Sequence, residues 1–232
     1  MPSESEHRPK SLTNAERRAK TTGNILDSAE HLFSQRGLHG VTLKDIAKDA
    51  NVHHTLLHYY FDDKKDLFDA VFARRAPVSS GRRMKALDAY ERLSNGEPTV
   101  EGALRAFLDT DFDLYIEGGD EWKNALALAA QVASTPDWGA KMMERHFDPV
   151  VLRLINLLKK ALPDCPEEDI FWGYHFVTGA LMLTLARTGR IDKLSGGLCE
   201  SDNFSAIKQR MADYMAAGFH AVCAERLASR GP

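Results

Sequence analysis

Nearly every segment of the chain carries apolar residues at helical spacing and none carries a sustained two-residue alternation, so the sequence predicts an all-α fold. Two further observations divide it. Two short helical stretches meet at a three-residue turn near Asn51, behind a supporting helix, which is the pattern of an N-terminal three-helix helix-turn-helix unit. The small polar run after Pro77, "VSSG", reads as a joint before a larger C-terminal helical region. The expected domains are therefore 21–76 and 77–232, with 1–20 as a frayed basic arm.

The elements follow in chain order. The arm holds Arg8, Lys10, Arg17, Arg18 and Lys20. Ile25, Leu26, Ala29, Leu32 and Phe33 then share one face of a helix that Gly37 ends. In "VTLKDIAKDA", Thr42 is the expected N-cap, Asp45 its capping-box partner, and Leu43, Ile46, Ala47 and Ala50 point inward. Asn51 stands where the chain must turn sharply, because Asn tolerates the left-handed conformation. A third helix starts at His53 or His54 and runs to about Tyr60. A fourth is capped by Asp62 or Asp63 and packs Leu67, Phe68, Val71 and Phe72. Beyond Pro77, helices are expected near 82–94, 99–117, 120–134, 137–162, 167–188 and 204–228. Pro149 should kink the fourth of these, and "TGRIDKLSGGLCESDN" should form a polar loop before the last.

Composition bounds the function. With 232 residues and 44% apolar content the chain can bury a core. No apolar run approaches the length of a membrane span, and the first twenty residues lack the apolar stretch of a signal peptide, so a cytoplasmic protein without a membrane partner is expected. Three cysteines at wide spacings, Cys165, Cys199 and Cys223, suggest reduced structural thiols rather than a disulfide framework. Net charge is −3. Residues 1–77 hold 12 Lys and Arg against 11 Asp and Glu, and the remainder 18 against 22, a slight lean toward a basic N-terminal module.

The stretch "NVHHTLLHYYFDDKKDLF" is the chemically richest. On its helix Val52, Leu57 and Phe61 can face the core while His54, Thr55, His58 and Tyr59 share the opposite side. Such a helix is roughly 10 Å long, short enough to enter a DNA major groove end-on. Imidazole and hydroxyl groups can bond base edges, Leu56 can meet a thymine methyl, and Tyr and Lys can hold phosphates. Lys64 and Lys65 open the next helix, where a phosphate can be caught between their side chains and free backbone N–H groups. Thr42 and Lys44 lie at the start of the preceding helix, within reach of the same strand. The competing reading is metal chelation by His54 and His58, four residues apart. It lacks a third and fourth ligand nearby, and Thr55 occupies the position that a HExxH motif gives to Glu. DNA reading is the preferred expectation.

The segment "ILDSAEHLFSQRGLHGVTLKDIAKDANVHHTLLHYYFDDKKDLFDAVF" resembles the DNA-binding region of the TetR family of transcriptional regulators over roughly residues 22–73. Its "GLHGVTLKDIA", the "ANV" turn, the terminal "YYF" and "DKKDLF" carry the likeness. Departures are Asn51 for the usual turn Gly, His53 for the usual Ser-like cap, and His58 for a common Tyr. The resemblance implies a homodimer whose recognition helices enter successive major grooves of a palindromic operator. It also implies a C-terminal domain whose ligand changes their separation. Carried over by position, Lys44, His54, Thr55 and His58 would read bases and Thr42, Tyr59, Tyr60 and Lys64 would hold phosphates. His53 and Leu56 complete the expected contact set.

The resemblance further implies that the last two long helices pair across a dimer as a four-helix bundle. Gly179 and Ala180 on one, with Ala212, Ala216, Ala217 and Gly218 on the other, would permit close approach. The segment "HFDPVVLRLINLLKKALPDCPEEDIFWGYHFVTGALM" is similar to a broad subset of the family that includes fatty-acid-responsive members, which suggests a hydrophobic or amphipathic effector. Aromatic residues concentrate in this region: Phe107, Phe112, Tyr115, Trp122, Trp138, Phe147, Trp172 and Phe176. Of these Phe112, Trp122, Trp138, Phe147, Trp172 and Phe176 are the candidate pocket lining, with Gln131, His146 and His175 as orienting polar groups; for each, ordinary core packing or a structural hydrogen bond is the competing reading.

An enzyme finds no support. "DTDFD" places Asp109, Asp111 and Asp113 like the start of a calcium loop, but Leu114 stands where Gly is required and a helix would fan the carboxylates apart. No nucleophile elbow, Gly-rich phosphate loop or Cys–His pair is present, and no cofactor is expected. The remaining alternative is a factor of the same fold that binds DNA without an effector, which a solid second domain would favour.

Overall fold

A computed structural model describes residues 13–229. Among the described residues there are ten helices and no strand. The first, α1 (Asn14–Arg36), opens on a capping box between Thr13 and Glu16 and closes at Gly37, whose φ of 69° suits a residue without Cβ. Residues 14–20 are thus helical rather than a frayed arm, since the capping box satisfies the first N–H groups; Arg8 and Lys10 lie outside the described residues. The second, α2 (Leu43–Asp49), starts on the expected Thr42–Asp45 box. The hydroxyl and then the backbone N–H of Thr42, both donating to Oδ2, hold the Asp45 carboxyl below its ordinary range. Asn51 adopts φ 52° at the turn, and α3 (His54–Tyr60) follows.

Asp63 caps α4 (Lys64–Leu93), which runs without a break through Pro77. The joint expected there does not form. Proline removes the bond to the carbonyl of Ala73, but Ala76 and Ser79 are buried on either side of it, so tertiary packing holds the helix together. The separate helix expected at 82–94 is the second half of α4. Then come α5 (Val100–Glu117), α6 (Gly119–Ala133), α7 (Trp138–Ala161, with Pro149 inside), α8 (Glu167–Leu185), the short α9 (Arg190–Leu194) and α10 (Phe204–Ser229). The loop expected before the last helix therefore contains one helical turn and a half.

One continuous apolar core runs from Ile25 and Phe33 in α1 through Phe68 and Phe72 in α4 to Phe107, Phe112, Leu154 and Phe204. Polar ties fix the N-terminal helices to the rest. Arg74 bonds Asp27 and Glu30, both at 2.6 Å, and Arg75 reaches Glu30 at 3.2 Å and Glu121 at 2.6 Å. On the other side of the molecule Arg153 and Lys160 on α7 grip Glu91 on α4, which pushes its carboxyl down to about 2. The three aspartates of "DTDFD" do not all fan apart: Asp111 turns inward and is buried against Arg83 and Ser79, but Asp109 and Asp113, one helical turn apart, share a face and both approach Lys208, at 3.9 and 2.5 Å.

The cysteines depart from expectation. Cys165 and Cys223, 58 residues apart, form a disulfide with Cα atoms separated by 5.1 Å, and Cys199 alone is free and exposed. Sequence spacing carries no information about a contact between the α7–α8 loop and the far end of α10. Of the small residues expected to let α8 and α10 approach a partner chain, two are used within this chain. Ala212 and Ala216 are buried in the chain's own core, Gly179 and Gly218 face open space, and the close approach of α8 to α10 falls at Gly173, where a Cβ would lie 2.2 Å from the Phe219 ring.

Candidate nucleic-acid interface and inner cavity

The short α3 is fixed from below by Leu57, which is wholly buried, and by Phe61 at its C-cap. With 3.6 residues per turn, anchoring residue 57 turns 54, 55, 58 and 59 outward. His54, Thr55, His58 and Tyr59 are accordingly exposed, Tyr59 by 68%, whereas Leu56 and Tyr60 are half-buried. His53 stands at the N-cap with its Nδ1 2.8 Å from the Thr55 hydroxyl. The His54 and His58 rings meet edge to face with centroids 6.5 Å apart.

Flanking groups differ in their freedom. Lys44 is exposed at the first turn of α2. The Thr42 hydroxyl donates to Asp45 Oδ2 at 2.6 Å, so its donor serves the helix cap. The Lys64 ammonium donates to the Val41 carbonyl at 2.9 Å, which pins α4 to the loop before α2 and leaves its other two protons available. One group escaped the sequence reading. Arg18 on α1 lies 5.7 Å from the ring centroid of Tyr59 and 5.4 Å from that of Tyr60. Its distance along the chain from Tyr59 hid the pairing, and assigning residues 1–20 to a frayed arm removed the helical phase that would have suggested it.

The nine candidate ligand residues separate into five places. Trp122 and Phe147 line an inner cavity with Phe72, Met143, Met182 and, as its polar edge, Glu30, Arg75, Ser79 and Asp111. Its free volume is about 30 Å³, room for a single water, so a larger molecule needs the walls to part. Phe112 is wholly buried and packs on Phe204 as core. Gln131 faces α1, donating to the Ser34 carbonyl at 2.8 Å, next to a contact between Ser34 and Asn124. Trp138 and His146 line a shallow surface recess with Asp69 and Arg145. There the Trp138 indole donates to Asp69 at 3.0 Å, and burial holds His146 below its ordinary value.

Trp172, His175 and Phe176 stand outside any enclosed space. Ile170, Val177, Leu181 and Leu185 take the inward face of α8, which turns 172, 175 and 176 out. Trp172 is 53% and Phe176 62% exposed, and both line an open trough of about 440 Å³ against Tyr214, Phe219 and Val222 of α10. A second apolar groove of about 580 Å³ adjoins it where α9 meets these helices, between Leu183, Ile191, Leu194, Met211 and Tyr214.

With this geometry in place, known proteins supply a comparison. Residues 25–71 match the family profile for bacterial regulatory proteins of the tetR family, and residues 105–218 that for the tetracyclin repressor-like C-terminal domain. The biofilm operon icaADBC negative transcriptional regulator IcaR of Staphylococcus aureus (strain Newman) is 47% identical over 45 residues, 19% of this chain and 24% of that one, so the match spans about a quarter of that relative. Two solved structures share the fold at low identity. A variant of HlyIIR superposes with a TM-score of 0.59 at 18% identity, over 88% of this chain and 97% of that one. The ketosteroid transcriptional regulator KstR2 of Mycobacterium tuberculosis superposes with a TM-score of 0.59 at 18% identity, over 91% and 98%.

Proposed function

The chain belongs to the TetR family of transcriptional regulators, and from that premise we propose that it is a homodimeric repressor whose paired α3 helices read a palindromic operator and release it when a small apolar effector binds. DNA binding rather than catalysis is what family membership establishes; the dimer, the operator symmetry and the effector are the proposal. The observation that carries it is the outward face of α3. Four exposed side chains able to bond base edges or phosphates stand on a helix held by buried Leu57, with exposed Lys44 beside them. The domain division at residue 77 is kept as a functional one, with α4 as the rigid shaft that joins reading head and body.

The effector reading draws support from the inner cavity, whose polar edge includes Arg75 and Glu30, the pair that ties α1 to α4. A molecule parting those walls would shift α1, and with it the spacing of the two α3 helices, which must sit about 34 to 36 Å apart to meet successive major grooves. The small free volume favours a second reading, in which the protein binds DNA with no effector. Titrating the operator complex with an apolar carboxylic acid and with its uncharged alcohol separates the two. Release by either supports effector control, and an unchanged complex across a broad panel supports the second reading.

Selection of bound fragments from random duplex DNA tests the interface. An enriched palindrome is expected, and His58→Ala should then lower affinity for it by about 1 to 3 kcal/mol with a smaller effect on random duplex. Equal losses on both DNAs would remove His58 from base reading.

A further inference from the structure

We infer that the first turns of α1 form a second grip on DNA, in which Arg18, held against Tyr59 and Tyr60, takes a phosphate of the duplex backbone flanking the sequence read by α3. The inference rests on α3 being the reading helix and adds a contact that lies outside the matched family segment, which begins at residue 25.

Three observations carry it. First, the Arg18 guanidinium lies within 6 Å of both tyrosine rings, whose own centroids are 5.2 Å apart and nearly perpendicular. A cation drawn to ring faces keeps its position, while the N–H edge of the guanidinium stays available for a bidentate bond to phosphate. The long side chain is ordered before DNA arrives, which lowers the entropy lost on binding. Second, Arg18 has no carboxylate partner among the described residues, and its surroundings are basic. Arg17 and Lys20 are exposed, and the carboxylate of Glu16 is occupied by the backbone N–H and hydroxyl of Thr13 at 2.7 and 2.9 Å. Arg17, Arg18 and Lys20 outnumber the one ionised Glu16, so these turns keep net positive charge beside the helix expected to enter the groove, and duplex DNA is the polyanion that reaches both at once. Third, the support is rigid. The same helix that carries Arg18 is capped at Thr13 and buried at Ile25, Ala29 and Phe33, so the basic turns cannot swing away from α3.

The competing role for Arg18 is structural, a cation that merely covers Tyr60. The two are told apart with the full-length protein on the selected operator and on random duplex, over a range of salt. If Arg18 holds one phosphate, Arg18→Ala reduces the slope of log affinity against log salt by about 0.9, and weakens both DNAs by roughly tenfold at 0.1 M salt. Arg18→Lys should retain most of the slope. Shortening the duplex to the read sequence alone should abolish the difference between wild type and Arg18→Ala. A wild-type slope in Arg18→Ala, with its helix content and melting temperature also unchanged, would overturn the inference. So would a loss that Arg18→Lys shares in full, since that marks a packing role. A wild-type protein that binds no duplex would overturn the reading of α3 as well, and is recognised by the absence of any shifted complex.

Discussion

Arg83 and Asp111 are each about 4% exposed, and they face one another inside the apolar body of the C-terminal domain. A buried guanidinium is costly unless its charge is met, and here Asp111 meets it while accepting a second bond from Ser79 at 2.8 Å. The ring of Phe107 lies 4.2 Å from the same guanidinium and Phe147 5.8 Å, so the cation is held by a carboxylate and by aromatic faces together. Asp111→Ala is expected to destabilise the fold by about 3 to 5 kcal/mol, because it strands a buried charge, and chemical denaturation measures it. Replacing both partners with Leu and Met should recover much of the loss. A destabilisation by Asp111→Ala of less than about 1 kcal/mol would mean that water reaches Arg83 and the pair is not structural. At this scale the sequence is legible where the interaction is local. Thr42 with Asp45, and Asn51 at its turn, were readable because three residues or fewer separate cause and effect. Arg83 with Asp111, Gln131 with Ser34 and Arg18 with Tyr59 were not, since helical periodicity says which side of a helix is polar and nothing about the partner across the gap.

Among the elements, α4 and α10 behave least as their sequences suggest. Pro77 in a polar setting reads as a break, yet α4 spans it, because α5 and α7 pack along its second half and their contacts outweigh one missing hydrogen bond. At the other end, α10 is tethered to the α7–α8 loop by the Cys165–Cys223 bridge, which closes a loop of 58 residues around α8. In the chain-entropy account such a closure stabilises by about 4 kcal/mol. Cys165→Ser should therefore lower the denaturant midpoint relative to the oxidised wild type, and a dithiol reductant should bring the wild type down to the level of the variant. If the reductant leaves the wild-type midpoint unmoved, the bridge adds nothing to stability. Element existence was largely readable from the apolar period, and element ends from capping residues and glycines. The expected joint at Pro77, the missed α9 and the frayed arm that proved to be helix share one cause: marginal segments are decided by what packs against them, and a single sequence does not display that.

For the molecule as a whole, the exposed apolar side chains of α8 and α10 matter most. Trp172, Phe176, Leu183, Tyr214 and Val222 are each more than two-fifths exposed, and Tyr214 lines both of the grooves that the others edge, an apolar surface suited to a partner. The proposed homodimer covers it. Phe176→Glu is expected to reduce the mass seen by light scattering from that of two chains to one, 25.9 kDa, and to weaken operator binding in step, because a single α3 loses the second half-site. A variant that stays dimeric would place the dimer on another face. Residues expected to line a ligand pocket thus sit on the surface that most needs a partner, and the reason is instructive: an aromatic at helical spacing says only that some apolar environment awaits it. By itself the sequence determined the helical class, the reading head with its caps and turn, and the outward chemistry of α3, because all of these follow from backbone preferences and periodicity within a few residues. Only the tertiary structure decided that α4 is one shaft, that two cysteines meet, that Arg18 joins the tyrosines of α3, and that the inner cavity has room for about one water, because each is a contact between segments distant in the chain whose free energy belongs to the pair and to neither segment alone.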